Sequence, residues 1–456
     1  MKMIFDVEAK PKFGQLVVFA IQQMLAIMAA TIAVPMIIGN SLTPAAAMFG
    51  AGCGTIIYQL FTKFKSPVFL GSSFAFIGSM FAAFAGGVSM SLGLLGLILG
   101  AIAAGLVYVI IAIVIKMVGV NWINKLMPAV VIGPTVAIIG LSLAGNAIGD
   151  LIKGDVALAD GAMAASPYVA LICGLVTLAV TMLCSTYGKK MTRLIPFILG
   201  ILAGYAVAAV LTVIGNVAGI DAIKVVDFSV FTSYMLSDGA VSLKTFLSVP
   251  EFSFLGAMQG ISELNWQYVA TILVAYVPVA FVVFAEHVAD HKNLSSIIER
   301  DLLKEPGLAN TLLGDGVGSM VGAFFGGCPN TTYGESVGCV AITKNASVRT
   351  ITAAAIGSIL VSFITPLVAF VDSIPACVMG GVCVALYGFI AVSGLKMLQE
   401  VDLNSNRNLF TASVILIAGI GGLTLSFGAV TLTSIACALI LGILTNTMLS
   451  KEKTDR

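Results

Sequence analysis

Long apolar segments alternate with short polar ones along the chain, from Phe13 to Ser450. Most are roughly 18 to 25 residues long, and about 20 apolar residues allow a helix to span the hydrocarbon core of a bilayer. The segments are centred near residues 26, 53, 75, 104, 138, 177, 206, 278, 317, 337, 359, 386, 416 and 438. The pattern predicts an all-α polytopic membrane protein with about fourteen transmembrane segments.

The composition excludes an ordinary soluble protein. Of the 456 residues, 59% are hydrophobic and only 10% are charged, whereas soluble domains carry about 25% charged residues. A net charge of +1 gives no basic surface for nucleic acid and no acidic tail, so we exclude nucleic-acid binding. The eight cysteines form neither a CxxC pair nor a disulfide-like framework, and we expect small buried thiols.

Positive charge is distributed unevenly between the two sides of the membrane. If all the predicted segments span, both termini lie on one side. Of the 23 Lys and Arg residues, all except Lys153, Lys224 and Lys244 then fall on that side. Cytoplasmic loops accumulate Lys and Arg, so we expect both termini in the cytoplasm. No Ala-x-Ala cleavage site follows the first segment, which predicts an uncleaved first span.

The order of the segments predicts an internal repeat. A long external connection, residues 219–266, separates the first seven predicted segments from the last seven. An odd number in each half forces two copies of one unit into opposite orientations, as in many secondary transporters. Related motifs occupy matching places: Pro128–Gly133 and Pro375–Gly380 open the fifth segments, and Pro67–Phe74 and Pro329–Glu335 lie in the third. We predict a 7+7 inverted repeat.

The third and tenth segments are poor candidates for continuous helices. Residues 66–79 and 326–343 mix proline, glycine, serine and threonine with apolar residues, and these residue types weaken helices. Non-helical backbone inside a membrane is tolerated only within protein or along a watered cavity. We predict that short antiparallel β stretches break both segments and that the half-helices after them form a ligand site. The alternative is that the glycines only allow close helix packing.

Four acidic residues fall within the predicted segments: Glu286, Asp290, Asp315 and Glu335. A charge at the bilayer centre costs about 3 kcal/mol or more, so such residues usually face a cavity. On a helix, Glu286 and Asp290 share one face, and His287 and His291 share an adjacent one. Two carboxylates one turn apart disfavour double ionisation, which suits a proton-coupled carrier. The alternative for Asp290 and His291 is a polar cytoplasmic helix end with a solvated His291.

Glu335 and Asp315 carry less specific signals. Glu335 follows Gly334, and a carboxylate at the start of a half-helix is stabilised by the helix dipole; the alternative is a capping group. Asp315 could orient the broken segments through hydrogen bonds to their backbone, with a structural role favoured. No metal site is expected, because the chain has only 2 histidines and no cysteine lies near them in sequence.

Three runs of residues resemble the nucleobase/ascorbate transporter family, in particular its bacterial uracil permeases. They are Leu70–Phe76, Ala285–Val288 and Pro329–Glu335. The resemblance implies proton-coupled import of uracil by alternating access across the plasma membrane, with no cofactor and no enzymatic activity. It also implies a homodimer formed through a gate domain. The implied division is a core domain (1–120 and 267–372), a gate domain (121–218 and 373–450), the external connection 219–266 and a cytoplasmic tail, 451–456.

The resemblance also implies site residues. The substrate-binding positions would be Phe74, Glu286, Gly334 and Glu335, with Ala30 and Tyr333 close by and Tyr387 facing them from the gate. Glu286, Asp290 and His291 would serve proton coupling, and Asp315 and Ser336 would be structural polar residues. Two positions depart from the family pattern: Ser336 replaces an Asn, and Asp290 stands where some uracil permeases have a histidine.

Three alternatives stay open. Xanthine or another purine or pyrimidine could be the substrate, because one sequence does not give the volume of the pocket. An anion exchanger of the same plan is disfavoured, because carboxylates repel anions and sulfate-type relatives append a soluble domain that we do not find after Ser450. An intramembrane enzyme is disfavoured, because no pair of nucleophile and base is evident.

Overall fold

The computed structural model describes residues 3–119, 122, 127–158, 163–189, 191–237, 240–399, 401–427 and 430–450. The predicted tail 451–456 lies outside the described residues, as do Lys2, Lys125 and Lys190 among the predicted cytoplasmic lysines.

The described chain is mostly helical. The helices of the first half are α1 (Phe13–Ile38), α2 (Pro44–Phe61), α3 (Ile77–Ala83), α4 (Met90–Val118), α5 (Ala129–Ser142), α6 (Ala144–Leu151), α7 (Pro167–Tyr187), α8 (Met191–Leu194) and α9 (Pro196–Ala218). The connection holds α10 (Ser229–Met235) and α11 (Ser253–Ala257). The second half contains α12 (Trp266–Ile298), α13 (Leu308–Gly326), α14 (Gly334–Thr343), α15 (Val348–Val361), α16 (Thr365–Asp372), α17 (Ala376–Leu398), α18 (Asn406–Ile420) and α19 (Ser434–Met448).

Within the described residues, 8 helices are long and apolar enough to cross a membrane: α1, α2, α4, the α5–α6 unit, α7, α9, α12 and α17. Shorter apolar helices cover residues 74–83, α15, α18 and α19. The chain is therefore a multi-pass membrane protein, and its predicted helical class is confirmed at that level.

Six short strands accompany the helices in the described part of the chain: β1 (Leu70–Ser72), β2 (Leu236–Ser237), β3 (Ala240–Val241), β4 (Asn330–Thr332), β5 (Leu425–Phe427) and β6 (Val430–Leu432). β2 pairs with β3 and β5 with β6, each antiparallel. The third pair joins distant parts of the chain, because β1 runs antiparallel to β4, with Gly71 opposite Thr331. The amide of Ser73 extends this ladder by donating to the carbonyl of Pro329 at 2.8 Å.

Glycine is required at the crossing of β1 and β4. A Cβ on Gly71 would collide with the ring of Tyr333, whose hydroxyl donates to the carbonyl of Ser72 at 2.7 Å. All residues of β1 and β4 are buried. Pairing satisfies backbone groups that would otherwise be unpaired at membrane depth, and each strand leads into a helical segment: the 3₁₀ turn Phe74–Phe76 and α3 after β1, and α14 after β4.

Small residues allow the main helix pairs to approach closely. α2 packs on α13 and α5 packs on α17, the two most extensive helix contacts in the described chain. A Cβ on Gly50 of α2 would lie 2.5 Å from the carbonyl oxygen of Gly322. In the other pair, a Cβ on Gly133 would lie 2.9 Å from the carbonyl oxygen of Gly394. Close backbone approach of this kind is a common means of helix association in membranes.

Candidate functional site

A cavity of about 370 Å³ lies between β4, the helical turn after β1, α12 and α17. This volume is within the range of small-molecule sites. The cavity is lined by Phe74, Ala75, Val136, Ile139, Phe197, Glu286, Ala289, Asp290, Thr331, Tyr333, Gly334, Glu335, Leu386, Phe389, Ile390, Ser393 and Met397. The fold thus brings the third and tenth predicted segments together around one space.

Six of the residues predicted for the site line this cavity: Phe74, Glu286, Asp290, Tyr333, Gly334 and Glu335. Phe74 begins the 3₁₀ turn that follows β1. Tyr333 is the N-cap of α14 and makes no side-chain capping bond. The first N–H groups of a helix have no intrahelical backbone acceptor, so the start of α14 presents backbone donors and the positive end of its dipole beside the cavity.

Three carboxylates share the cavity wall, and no basic residue is found among the described residues that line it. Glu286 and Asp290 lie one turn apart on α12, and Glu335 is in the first turn of α14. Asp290 accepts a hydrogen bond from the hydroxyl of Thr332 at 2.6 Å. This bond links α12 to β4 and orients one carboxylate, while the cavity as a whole attracts protons and hydrogen-bond donors.

Three predicted site residues lie behind the wall. Ala30 is buried in α1 and is not among the lining residues. The ring of Tyr387, on α17, meets the ring of Phe74 edge to face with centroids 5.9 Å apart. Ser336 accepts hydrogen bonds from the side-chain amide of Gln23 at 2.6 Å and from the backbone amide of Phe69 at 3.2 Å. Ser336 therefore ties α14 to α1 and to the approach to β1.

The interpretation of His291 as a solvated residue at a helix end is wrong. His291 is fully buried, and it is not at the end of α12, which continues to Ile298. Its Nε2 lies 2.6 Å from the hydroxyl of Tyr58 on α2, and its Nδ1 lies 2.8 Å from the carbonyl oxygen of His287. The two histidine rings stack with centroids 4.0 Å apart, and neither is among the residues that line the cavity.

Asp315 also has a different partner from the one expected. It does not bond to the backbone of the broken segments among the described contacts; its Oδ2 lies 2.7 Å from Nδ1 of His287. Nε2 of His287 lies 3.0 Å from the hydroxyl of Thr311, on the same helix as Asp315. All three side chains are buried. These three hydrogen-bonded side chains join α12 to α13 away from the cavity. Asp315 is therefore buried because it holds the two helices together.

The apolar wall and Thr331 were not predicted from the sequence. Five lining residues of α17, namely Leu386, Phe389, Ile390, Ser393 and Met397, recur at spacings of three and four, which is the signature of one helix face. That pattern is present in the sequence, but a helix apolar on all sides gives no indication of which face meets a cavity.

A second cavity, of about 760 Å³, continues the first. The two share Ala289, Asp290, Ser393 and Met397, and the second also reaches Lys292 and Lys396 near the ends of α12 and α17. The first cavity therefore shares part of its wall with a cavity that reaches these two lysines.

Comparisons with known proteins agree with this architecture. Residues 14–427 match the Permease family. The uracil permease of Bacillus caldolyticus is 38% identical over 98% of this chain and 95% of that protein. The uracil permease of Escherichia coli strain K12 is 35% identical over 96% and 92% of the two chains.

Solved structures show the fold. The transmembrane domain of a cyanobacterial bicarbonate transporter superposes with a TM-score of 0.63 at 14% identity, covering 98% of this chain and all of that domain. The murine Solute Carrier 26 family member A9 anion transporter gives 0.63 at 11% identity, covering 97% and 69% of the two chains. With the family match and the full-length relatives, these observations show that the chain belongs to the Permease family of membrane transporters.

Proposed function

We propose that the chain imports uracil together with protons across the bacterial plasma membrane. The observation that carries the proposal is the cavity wall, where carboxylates, the start of α14 and the ring of Phe74 meet. Uracil is flat and presents two N–H donors and two carbonyl acceptors. Its N–H groups match Glu286 and Glu335, its carbonyls match the backbone amides at the start of α14, and its ring face matches Phe74. The two uracil permeases that resemble the whole chain support this substrate.

Proton coupling is assigned to Glu286, with Asp290 beside it on α12. Carboxylates crowded into a low-dielectric cavity repel one another, and a net charge is costly to carry through a membrane. A proton on Glu286 removes part of that charge before the loaded site moves. The direct role falls to the carboxylates rather than to the predicted third participant, His291, because His291 is bonded to Tyr58 away from the cavity.

Transport by alternating access follows from a 7+7 inverted repeat. The equivalent helices α5 and α17 support the repeat, because both begin at an N-cap proline in an extended conformation, Pro128 and Pro375. In this proposal the core (1–120 and 267–372) carries the substrate past the gate (121–218 and 373–450), the gate domains form a homodimer, and both termini are cytoplasmic. With the side rich in Lys and Arg placed in the cytoplasm, the cavity that reaches Lys292 and Lys396 would open to the cytoplasm.

Uptake of labelled uracil into cells that lack their own uracil transport tests the proposal. We expect uptake that a protonophore abolishes and that excess unlabelled uracil suppresses more than xanthine does. Uptake of xanthine with uracil ignored would show that the substrate is wrong while leaving proton coupling intact. Uptake of uracil that is insensitive to the protonophore would refute proton coupling.

Anion exchange is the second candidate, because the solved structures with this fold include a bicarbonate transporter and an anion transporter. The three carboxylates on the described wall disfavour an anionic substrate. Labelled bicarbonate offered to the same cells distinguishes the two functions, and we expect no uptake above that of cells without the protein.

A further inference from the structure

Thr331 occupies the centre of β4, opposite Gly71 of β1. Successive side chains of a strand point to opposite faces, so Thr331 and Tyr333 share one side of the chain and Thr332 takes the other. Both Thr331 and Tyr333 line the cavity. Only 2% of Thr331 is exposed, which places its hydroxyl in a largely desolvated part of the wall.

The hydroxyl of Thr331 differs from its neighbours in its hydrogen bonds. The hydroxyl of Thr332 donates to Asp290 at 2.6 Å, and the hydroxyl of Tyr333 donates to the carbonyl of Ser72 at 2.7 Å. Oγ1 of Thr331 is buried and has no partner among the described residues. A buried hydroxyl without a partner is destabilising, and such groups are uncommon in native proteins. A bound ligand would supply the missing bond.

The chemistry of the wall indicates what that ligand group is. Ionised carboxylates are acceptors only, so Asp290 and Glu335 can bond the N–H groups of a substrate but not its carbonyls. Glu286 is a donor only while it carries the proton assigned to it above. Apart from backbone amides, the described wall offers three hydroxyls: those of Thr331, Ser393 and the already engaged Tyr333. Thr331 lies on the strand that leads into α14, beside Glu335, whereas Ser393 lies on α17 across the cavity.

We propose that the hydroxyl of Thr331 donates a hydrogen bond to one of the two ring carbonyls of the bound base and thereby contributes to substrate specificity. The inference rests on the proposed function, since it takes a nucleobase as the ligand. It adds a side-chain donor to a wall of side-chain acceptors, so that the site recognises both the N–H and the carbonyl edges of the ring.

Binding to purified protein tests the inference with three variants. Thr331→Val removes the hydroxyl at nearly constant shape, and Thr331→Ser retains it. Thr135→Val is the matched control, because Thr135 is also buried and lies next to a lining residue, but its hydroxyl bonds the carbonyl of Val131 in its own helix. The ligands are uracil, 2-thiouracil and 4-thiouracil, because sulfur is a much weaker acceptor than oxygen.

We expect Thr331→Val to weaken uracil binding about 5- to 100-fold, while Thr331→Ser and Thr135→Val stay near the parent affinity. The thio-analogue with sulfur in place of the bonded carbonyl oxygen should bind the parent weakly, and Thr331→Val should weaken its binding little further. This analogue identifies the carbonyl that Thr331 bonds. Unchanged uracil affinity in Thr331→Val would overturn the inference, and so would an equal loss for all three ligands. Binding of uracil to the parent tests the proposed function separately. If the parent binds xanthine instead, the same comparison applies, and unchanged xanthine affinity in Thr331→Val overturns the inference.

Discussion

At the scale of single residues, two glutamates reach one cavity from different helices. Glu286 lies in the middle of α12, and Glu335 lies in the first turn of α14. Their position was predictable from the sequence, because an acidic residue within an apolar segment is costly unless it faces a cavity. The burial of His291 was not predictable, because it depends on the packing of Tyr58 from α2. Thr331 was not predictable as a site residue either, because it resembles several other polar residues of its segment.

Glu286→Gln should abolish proton-driven accumulation of uracil. Glutamine keeps the size of the side chain but neither takes up a proton at neutral pH nor offers two acceptor oxygens. We expect the uphill, pH-dependent component of uptake to disappear and the affinity for uracil to fall about 5- to 100-fold. Uptake of labelled uracil at several external pH values measures both effects.

The matched control is Glu251→Gln, which changes an exposed glutamate in the external connection and should leave uptake unchanged. Uphill, pH-dependent accumulation of uracil by Glu286→Gln would show that the proton is carried elsewhere.

At the scale of elements, the broken segments depend on a crossing that only glycine allows. Gly71→Ala should push Tyr333 away from Ser72 and separate β1 from β4, because the added methyl group overlaps the tyrosine ring. We expect a destabilisation of about 1 to 3 kcal/mol and loss of uracil binding. Thermal unfolding in detergent and ligand binding measure the two effects.

Gly78→Ala provides the comparison for Gly71→Ala. Gly78 lies in α3, and a Cβ there meets nothing within 4 Å. Alanine in a helix interior is favoured over glycine by about 0.5 to 1 kcal/mol, so stability should be equal or higher. If Gly71→Ala is as stable and active as Gly78→Ala, the crossing is not essential.

The loop between α6 and α7 caps the start of α17. Oδ1 of Asp155 accepts a hydrogen bond from the amide of Ala376 at 3.1 Å, and burial raises the pKa of Asp155 to about 6. A carboxyl whose pKa is higher in the folded state binds its proton more tightly there. Its stabilising contribution is therefore complete below about pH 4 and is lost as the pH rises through about 6.

Asp155→Asn should flatten this pH dependence, because asparagine keeps the acceptor oxygen and does not titrate. Between about pH 4 and pH 7 the parent should lose about 1 kcal/mol more stability than the variant, because Asp155 is exposed and solvent screens its charge. Thermal unfolding of both proteins over this range gives the comparison. Parallel curves would mean that Asp155 is not the group that titrates.

The breaks in the third and tenth segments were predictable from the sequence, whereas the face of α17 that lines the cavity was not. Proline, glycine and hydroxyl residues indicated where the third and tenth segments would be interrupted, because those residue types weaken helices locally. The apolar wall of α17 was not predictable, since Leu386, Phe389 and Ile390 are indistinguishable in the sequence from residues that face lipid. The choice of face depends on the packing of α5 against α17.

At the scale of the whole molecule, the second cavity is the route by which we expect the proposed site to open to one side of the membrane. Ser393 lines both the binding cavity and the cavity that reaches Lys292. Ser393→Cys should react with a membrane-impermeant thiol reagent from the cytoplasmic side. Uracil at ten times its dissociation constant should slow the reaction about tenfold. Labelling of Ser393→Cys in inside-out vesicles measures the reaction rate. The parent is the control for labelling of the eight free cysteines.

Ser229→Cys reports the opposite side, because Ser229 is exposed in the external connection. It should react only in right-side-out preparations. If Ser393→Cys reacts from outside and Ser229→Cys from inside, the orientation inferred from the distribution of Lys and Arg is inverted.

The pairing of β1 with β4 has a consequence for synthesis. β1 is translated about 260 residues before its partner, which at about 5 to 20 residues per second amounts to roughly 10 to 50 seconds. During that interval its main-chain amides and carbonyls lack their final partners while the surrounding helices are being inserted into lipid, where unpaired peptide groups are unfavourable. We therefore expect the nascent third segment to need shelter from the translocon or an insertase, and the wall of the cavity is completed only after the tenth segment has left the ribosome.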